Sequence, residues 1–202
     1  MFLKSLNAIA DSIIVTKTIT PIGFPETVYK TPFVELEETP VRFPNGRTGR
    51  YARLNPDTYG GVAVPRIIDD GIEFFGLVRQ YRHSIAQFTL EFPRGGTKDE
   101  SEDEAIRELV EETGLAVNVG RGVRLGKLYA DTGILASTVT VWLVPIDTRG
   151  DEVFIEEETA ASHCWVTEEE LRELIRSGEL TCGITLAAYS LLQVFNSSSE
   201  VQ

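Results

Sequence analysis

The sequence predicts an α+β chain, with a small N-terminal β unit ahead of a layered domain in which a mixed sheet packs against helices. Three observations carry this reading. Short β-branched or alternating runs recur from Ser12 to Val166. One long helical pattern interrupts them, near residue 101, and two more helical patterns close the chain. No repeat of fixed period is present.

In order along the chain, Ser12 to Thr20 (S-I-I-V-T-K-T-I-T) reads as a strand broken by Pro21 to Pro25. Val28 to Glu37 and Val41 to Phe43 read as strands. Pro44-Asn45-Gly46 is a turn signal and Arg47 to Leu54 the returning partner. Residues 1–55 thus form a β unit too small to bury much alone, which should pack on the rest of the chain or, as a dimerisation element, on a second subunit. Residues 56–197 form the main domain, and 198–202 a frayed tail.

Within the main domain, Gly60 to Ile68 and Ile72 to Tyr81 pair across Asp69-Asp70-Gly71. Gln87 to Phe92 is a further strand. Val117 to Val123, Gly126 to Tyr129, Thr138 to Ile146 and His163 to Val166 follow. Asp147 to Thr159 reads as an acidic loop. Thr167 caps a helix to about Ser177, with Glu170 three residues on and Gly178 as the stop. Gly183 to Phe195 is the last helix.

The stretch Leu90 to Leu115 organises the rest. Ser101 can cap a helix, Glu104 completes a capping box, and Gly114 supplies the left-handed stop. Ala105, Ile106, Leu109 and Val110 fall on one side. Glu104, Glu108, Glu111 and Glu112 fall on another. Carboxylates three and four residues apart are neighbours and repel, and Arg107 is spaced to pair with Glu111 only. Hard divalent ions such as Mg²⁺ or Mn²⁺ take oxygen ligands of this kind. Pro93-Arg94-Gly95-Gly96 reads as a loop whose backbone can approach a phosphate or a metal closely. An acidic helix next to a glycine loop suggests a metal-bridged diphosphate site.

Composition narrows the partners. The chain has 202 residues, 42% hydrophobic and 25% charged, an ordinary globular make-up. Its formal charge of -12 argues against a nucleic-acid backbone as partner. A bound cation would still accept phosphate locally. No apolar run approaches the ~20 residues needed to span a bilayer, so no membrane partner is expected. Cys164 and Cys182 have no metal or redox spacing and read as buried thiols in a reducing, cytoplasmic setting.

Arg107-Glu108-Leu109-Val110-Glu111-Glu112-Thr113-Gly114-Leu115 resembles the core of the Nudix box, G-x5-E-x7-R-E-U-x-E-E-x-G-U with U aliphatic, at every fixed position. Upstream the spacing departs. Strict counting places Asp99 at the first acidic position and Pro93 at the glycine. Aligning Gly95-Gly96 and Glu100-Ser101 instead shortens the loop and matches the family's Glu-Ser or Glu-Thr approach to the helix. Leu77-Val78-Arg79-Gln80-Tyr81-Arg82, followed by Leu90-Glu91-Phe92-Pro93, is similar to the R-Q-Y-R…L-E-x-P-A-G signature of the ADP-ribose and ADP-sugar pyrophosphatases among Nudix hydrolases. Ser177-Gly178-Glu179-Leu180 and Leu186-Ala187-Ala188 are similar to that group's closing helix pair.

The resemblance implies a Nudix α/β/α sandwich with a mixed sheet. It implies divalent-metal-dependent hydrolysis of the diphosphate in a nucleoside diphosphate linked to another moiety, with ADP-ribose or a nucleotide sugar foremost. NADH, dinucleoside polyphosphates or capped RNA are alternative substrates, and a non-catalytic nucleotide sensor is the alternative role. Glu108, Glu111 and Glu112 would hold Mg²⁺ or Mn²⁺, with a Gly95 or Gly96 carbonyl as a further ligand. Arg107 would orient a box glutamate. Arg79 and Arg82 suit a diphosphate or terminal ribose, or are surface strand charges. Tyr81 suits a base, though a core position is the commoner fate of such a tyrosine. The group's base comes from a late acidic loop, here Glu156, Glu157 or Glu158, with Glu157 taken as the representative. The group's N-terminal unit commonly exchanges between subunits, which implies a homodimer. Tyr129 to Ser137 lacks the Ser-Pro-Gly and following glutamate that this group uses for substrate choice.

Overall fold

The computed structural model describes residues 18–149 and 162–199. Contacts divide the chain into two compact units, residues 1–57 and 58–202.

The first unit is an antiparallel sheet of β1 (Thr20–Pro21), β2 (Glu26–Lys30), β3 (Val34–Arg42) and β4 (Thr48–Pro56). Strand β3 is central, pairing with β1, β2 and β4. Residues 12–17 of the first expected strand lie outside the described residues. The expected run Val28 to Glu37 is two strands, not one. Thr31 breaks it, because its hydroxyl accepts from the amides of Phe33 and Val34, both at 3.1 Å, and turns the chain. The Asn45-Gly46 turn forms as expected, with Gly46 at φ +85°.

The second unit holds a seven-stranded sheet. Its strands are β5 (Tyr59–Asp69), β6 (Ile72–Arg82), β7 (Gln87–Glu91), β8 (Arg94–Thr97), β9 (Val123–Leu128), β10 (Val139–Pro145) and β11 (Ser162–Thr167). The order is β11-β6-β5-β10-β9, with β7 on β6 and β8 on β5. Among the described residues only the β5–β10 pairing is parallel, so the sheet is mixed. Asp70 and Gly71 take φ of 49° and 78°, the paired left-handed geometry of a tight hairpin turn.

Among the described residues three helices cover the sheet: α1 (Glu102–Thr113), α2 (Glu168–Ser177) and α3 (Gly183–Ser199). Val62, Ala63 and Val64 on β5 are all fully buried, as befits a strand covered on both faces. On one face Val62 and Val64 pack with Leu171 of α2, Leu180, and Ala188 and Leu192 of α3. On the other, Ala63 and Val144 pack with Ile106 and Leu109 of α1. The unit is therefore an α/β/α sandwich.

Five local expectations are corrected. Gly95-Gly96 lies in strand β8, paired with Gly60 and Gly61, rather than in a loop. Residues 117–122 form no strand, because Glu102 Oε1 accepts from the amides of Gly120 and Gly122 and holds that backbone in a turn. Val110 is 38% exposed, lying a step round the helix from the buried Leu109. The cap of α1 is half a capping box: Ser101 accepts from the Glu104 amide, but the Glu104 carboxylate reaches back to the Lys98 amide. The full box forms at Thr167 and Glu170. Cys164 and Cys182 are half-buried rather than fully buried.

Candidate functional site

The site lies where α1 crosses β8 and the neighbouring strands. Glycines set how close the helix comes. A Cβ on Gly61 would stand 2.6 Å from the Thr97 side chain and 3.6 Å from the Ala105 backbone. A Cβ on Gly95 would stand 1.9 Å from Glu108 Oε2, well inside contact distance. The Gly95 backbone thus abuts the Glu108 carboxylate directly.

Arg107 ties the helix to β8. Its guanidinium donates to the Gly96 carbonyl at 2.9 Å, Glu108 at 2.6 Å, Glu111 at 2.8 Å and Glu104 at 3.3 Å. It therefore does more than pair with Glu111, because a planar fork with five donors can serve several acceptors. Partial burial opposes its charge, but these carboxylates outweigh that and hold its pKa above the ordinary value. The role of orienting a box glutamate fits this geometry. The Gly96 carbonyl, expected as a ligand, is engaged by Arg107.

The three box glutamates sit in different surroundings. Glu111 is exposed and turned onto Arg107. Glu108 is mostly buried, and burial raises its pKa against the hydrogen bond from Arg107. Glu112 accepts from the Arg94 amide at 3.0 Å and the Gln80 amide at 3.3 Å. Burial pushes its pKa up to about 7, against the Arg94 amide and Arg82, and the Glu108 charge raises it further.

Beside them stands a second buried carboxylate. Glu91 is 1% exposed, held by Arg82 in a two-pronged pair at 2.9 and 2.6 Å, by Arg94 at 2.6 Å and by the Thr89 hydroxyl. Burial works to raise its pKa, but Arg82 and Thr89 overcome it and bring it down to about 2.

The expected substrate residues do not converge. Strand alternation sends Arg82 to Glu91, while Arg79 and Tyr81 project from the opposite face. There Arg79 stacks over the Phe88 ring at 3.8 Å, and Tyr81 meets Phe88 edge-on at 5.3 Å. Tyr81 is 40% exposed, so the core position expected for it is corrected. The aromatic partner Phe88 carries it at the surface instead. Glu156, Glu157 and Glu158 lie outside the described residues. Asp99 accepts from the Ser101 amide, and Glu100 is engaged by Arg124, Lys127 and Thr138. Neither is turned to the box carboxylates. Sequence reading missed Gln80, Glu91 and Arg94 as neighbours of the box. The two-residue alternation Gln80, Arg82 on β6 was the available signal.

A divalent cation is the group that the box implies. Glu108 and Glu112 suit it chemically: hard oxygens, poorly solvated and adjacent on the helix, with a guanidinium bonded to Glu108 and, among the described residues, none bonded to Glu112. Among the described residues, no three His, Cys, Asp or Glu side chains form a group ready to hold a metal. Glu111 would have to leave Arg107 to join the other two.

No family model matches the chain. It is 34% identical over 108 residues to an uncharacterized Nudix hydrolase of Schizosaccharomyces pombe, covering 52% of this chain and 50% of that protein. The chain thus spans about half the length of that relative. Its structure is similar to the crystal structure of an ADP compounds hydrolase, with a TM-score of 0.71 and 20% identity over 91% of this chain and 95% of that one. This is a Nudix fold. The second unit places α1 against the glycine strand, with Arg107 to Thr113 of the R-E-U-x-E-E-x-G-U stretch on that helix and Gly114 at its C-terminal stop. Among the described residues, no helix is long and apolar enough to cross a membrane.

Proposed function

We propose that the protein is a divalent-metal-dependent pyrophosphatase that cleaves the diphosphate of a nucleotide-linked small molecule, with ADP-ribose or a nucleotide sugar as substrate. The observation that carries this reading is the pair Glu108 and Glu112. Both carboxylates are withdrawn from water, Glu108 against the Gly95 backbone and Glu112 on the Arg94 amide, and burial raises the pKa of each, that of Glu108 despite its bond from Arg107. Such a pair is costly unless a cation or a proton joins it. The Nudix relative and the ADP compounds hydrolase fold support the same reading.

Glu108 and Glu112 would hold Mg²⁺ or Mn²⁺, with Glu111 as a third ligand once released from Arg107. The ion would neutralise diphosphate charge and polarise phosphorus. Arg107 fixes the Glu108 carboxylate against β8. Gln80 and the Arg94 amide fix the two oxygens of Glu112. Arg79, exposed over Phe88, is available to a substrate group. Arg82 is committed to Glu91 and acts on the site through it. Glu157 or a neighbouring glutamate would serve as the base.

The N-terminal β unit would join two copies. Its Phe24 and Phe33 are 90% and 80% exposed, which supports an apolar subunit contact. Light scattering of the full chain should give a dimer mass.

The test of function is a panel of ADP-ribose, nucleotide sugars, NADH and dinucleoside polyphosphates, with Mg²⁺ or Mn²⁺ and with chelator. Release of a nucleoside monophosphate from ADP-ribose or a sugar nucleotide, lost with chelator, is the expected result. No metal-dependent hydrolysis of any member would refute it.

A further inference from the structure

Gln80 is 7% exposed, on a strand whose next inward residue is the arginine that clamps Glu91. Its amide nitrogen donates to Glu112 Oε1 at 3.3 Å. Among the described residues, its side-chain oxygen Oε1 is buried without a hydrogen-bond partner. Burying an amide with its acceptor unmade costs stability, and an apolar residue of similar volume would avoid that cost. Its backbone is paired separately, opposite Thr89 in the β6–β7 ladder. The side chain is therefore not needed to close the ladder at this point.

The orientation of the amide carries information. Reversed, Oε1 would face the Glu112 carboxylate, oxygen against oxygen. As placed, nitrogen faces the carboxylate and oxygen is left as an acceptor beside it. Glu112 is then fixed at both oxygens, by Gln80 on one side and the Arg94 amide on the other. We propose that Gln80 is a positioning residue: its amide nitrogen orients the Glu112 carboxylate, and its buried Oε1 accepts a hydrogen bond from a water held beside that carboxylate. This inference rests on the pyrophosphatase reading above, in which Glu112 is a metal ligand. Groups that orient a ligand of this kind typically cost about 10–100-fold in metal affinity or activity when removed.

The experiment compares the full chain with Gln80→Met, which keeps the volume and removes both polar atoms. Thermal unfolding is followed across a Mg²⁺ titration, and kcat and KM are measured on the best substrate of the panel. For Gln80→Met, we expect unfolding without metal at the same or a higher temperature than the parent. We expect the Mg²⁺ midpoint for stabilisation to rise about tenfold or more, and kcat to fall about 10–100-fold with KM changing less than threefold. An unchanged Mg²⁺ midpoint together with unchanged kcat would overturn the proposal. If Gln80→Met fails to fold, Gln80→Asn decides, since it keeps an amide but withdraws it from Glu112. Loss of kcat and of Mg²⁺ affinity in a folded Gln80→Asn supports the inference, and parental values overturn it. Failure of the pyrophosphatase reading is seen separately, as a parent protein that hydrolyses nothing on the panel.

Discussion

Glu91 and Glu112 are both withdrawn from water, and Arg94 touches both, through its guanidinium in one case and its backbone amide in the other. Their states are opposite. Two guanidinium groups and a hydroxyl converge on Glu91, and its carboxyl titrates near pH 2. An amide and a backbone N–H reach Glu112, and burial leaves it titrating near pH 7. The difference lies in the supply of positive charge, since burial disfavours both anions. Glu91 is complete as folded and serves the architecture. Glu112 is short of a cation, and under the proposed function that deficit is what a divalent ion would fill.

Replacing each carboxylate in turn should separate the two roles. Glu112→Gln should lower kcat by more than about a hundredfold, beyond the usual cost of losing an outer-shell partner. Steady-state kinetics on the best substrate would show it, while far-UV circular dichroism stays native. Gly95→Ala should come next, with a fall of about tenfold or more, because the new Cβ must push the Glu108 carboxylate off its position. Kinetics combined with Mg²⁺-dependent unfolding would detect that displacement. Glu91→Gln should act on stability first. It strands Arg82 and Arg94, which are partly solvated at 27% and 24% exposure, so a loss of about 3 kcal/mol in urea unfolding is expected, the low end for breaking a buried pair.

The pH dependences of the two should run in opposite directions. Glu112 has a native pKa near 7 against an ordinary 4.5, so the folded state binds its proton first as pH falls. Its ionisation penalises folding above pH 7, and the penalty is relieved between 7 and 4.5. Glu112→Gln should therefore stabilise the metal-free protein by about 1–3 kcal/mol at pH 8 and by little at pH 4.5. Glu91 is the reverse. Its native pKa near 2 lies below the ordinary 4.5, so its contribution is full above 4.5 and is lost as pH falls towards 2. Thermal unfolding of the parent and both variants from pH 3 to 8 would resolve the two windows.

Much of the frame was legible in residue spacing. The Asp69-Asp70-Gly71 turn, the capped helix after Thr167 and the stop at Gly114 follow from local rules that tertiary packing had no reason to override. The box was legible because its glutamates recur at helical spacing. What could not be read was where each glutamate would end up. Helical spacing makes Glu108 and Glu112 neighbours, but it does not tell that Glu111 would turn to Arg107, or that Gln80, distant in sequence, would meet Glu112. Gly95-Gly96 was misread for a related reason. Glycine pairs usually mark turns, yet here both lie in a strand, and Gly95 lets the Glu108 side chain of the helix press against it. Tyr81 was misjudged because alternation fixes the face of a side chain but not what covers that face.

The most direct test is calorimetric titration of Mg²⁺ at pH 7 in buffers of different ionisation enthalpy, on the parent and on Glu112→Gln. A carboxyl that titrates near 7 is about half protonated there, and a metal must displace that proton. Binding to the parent should release about half a proton per ion, and Glu112→Gln should bind more weakly and release almost none. Equal proton release from both proteins, or tight binding to the parent with none, would contradict the assignment of Glu112 as the buried carboxylate awaiting a cation.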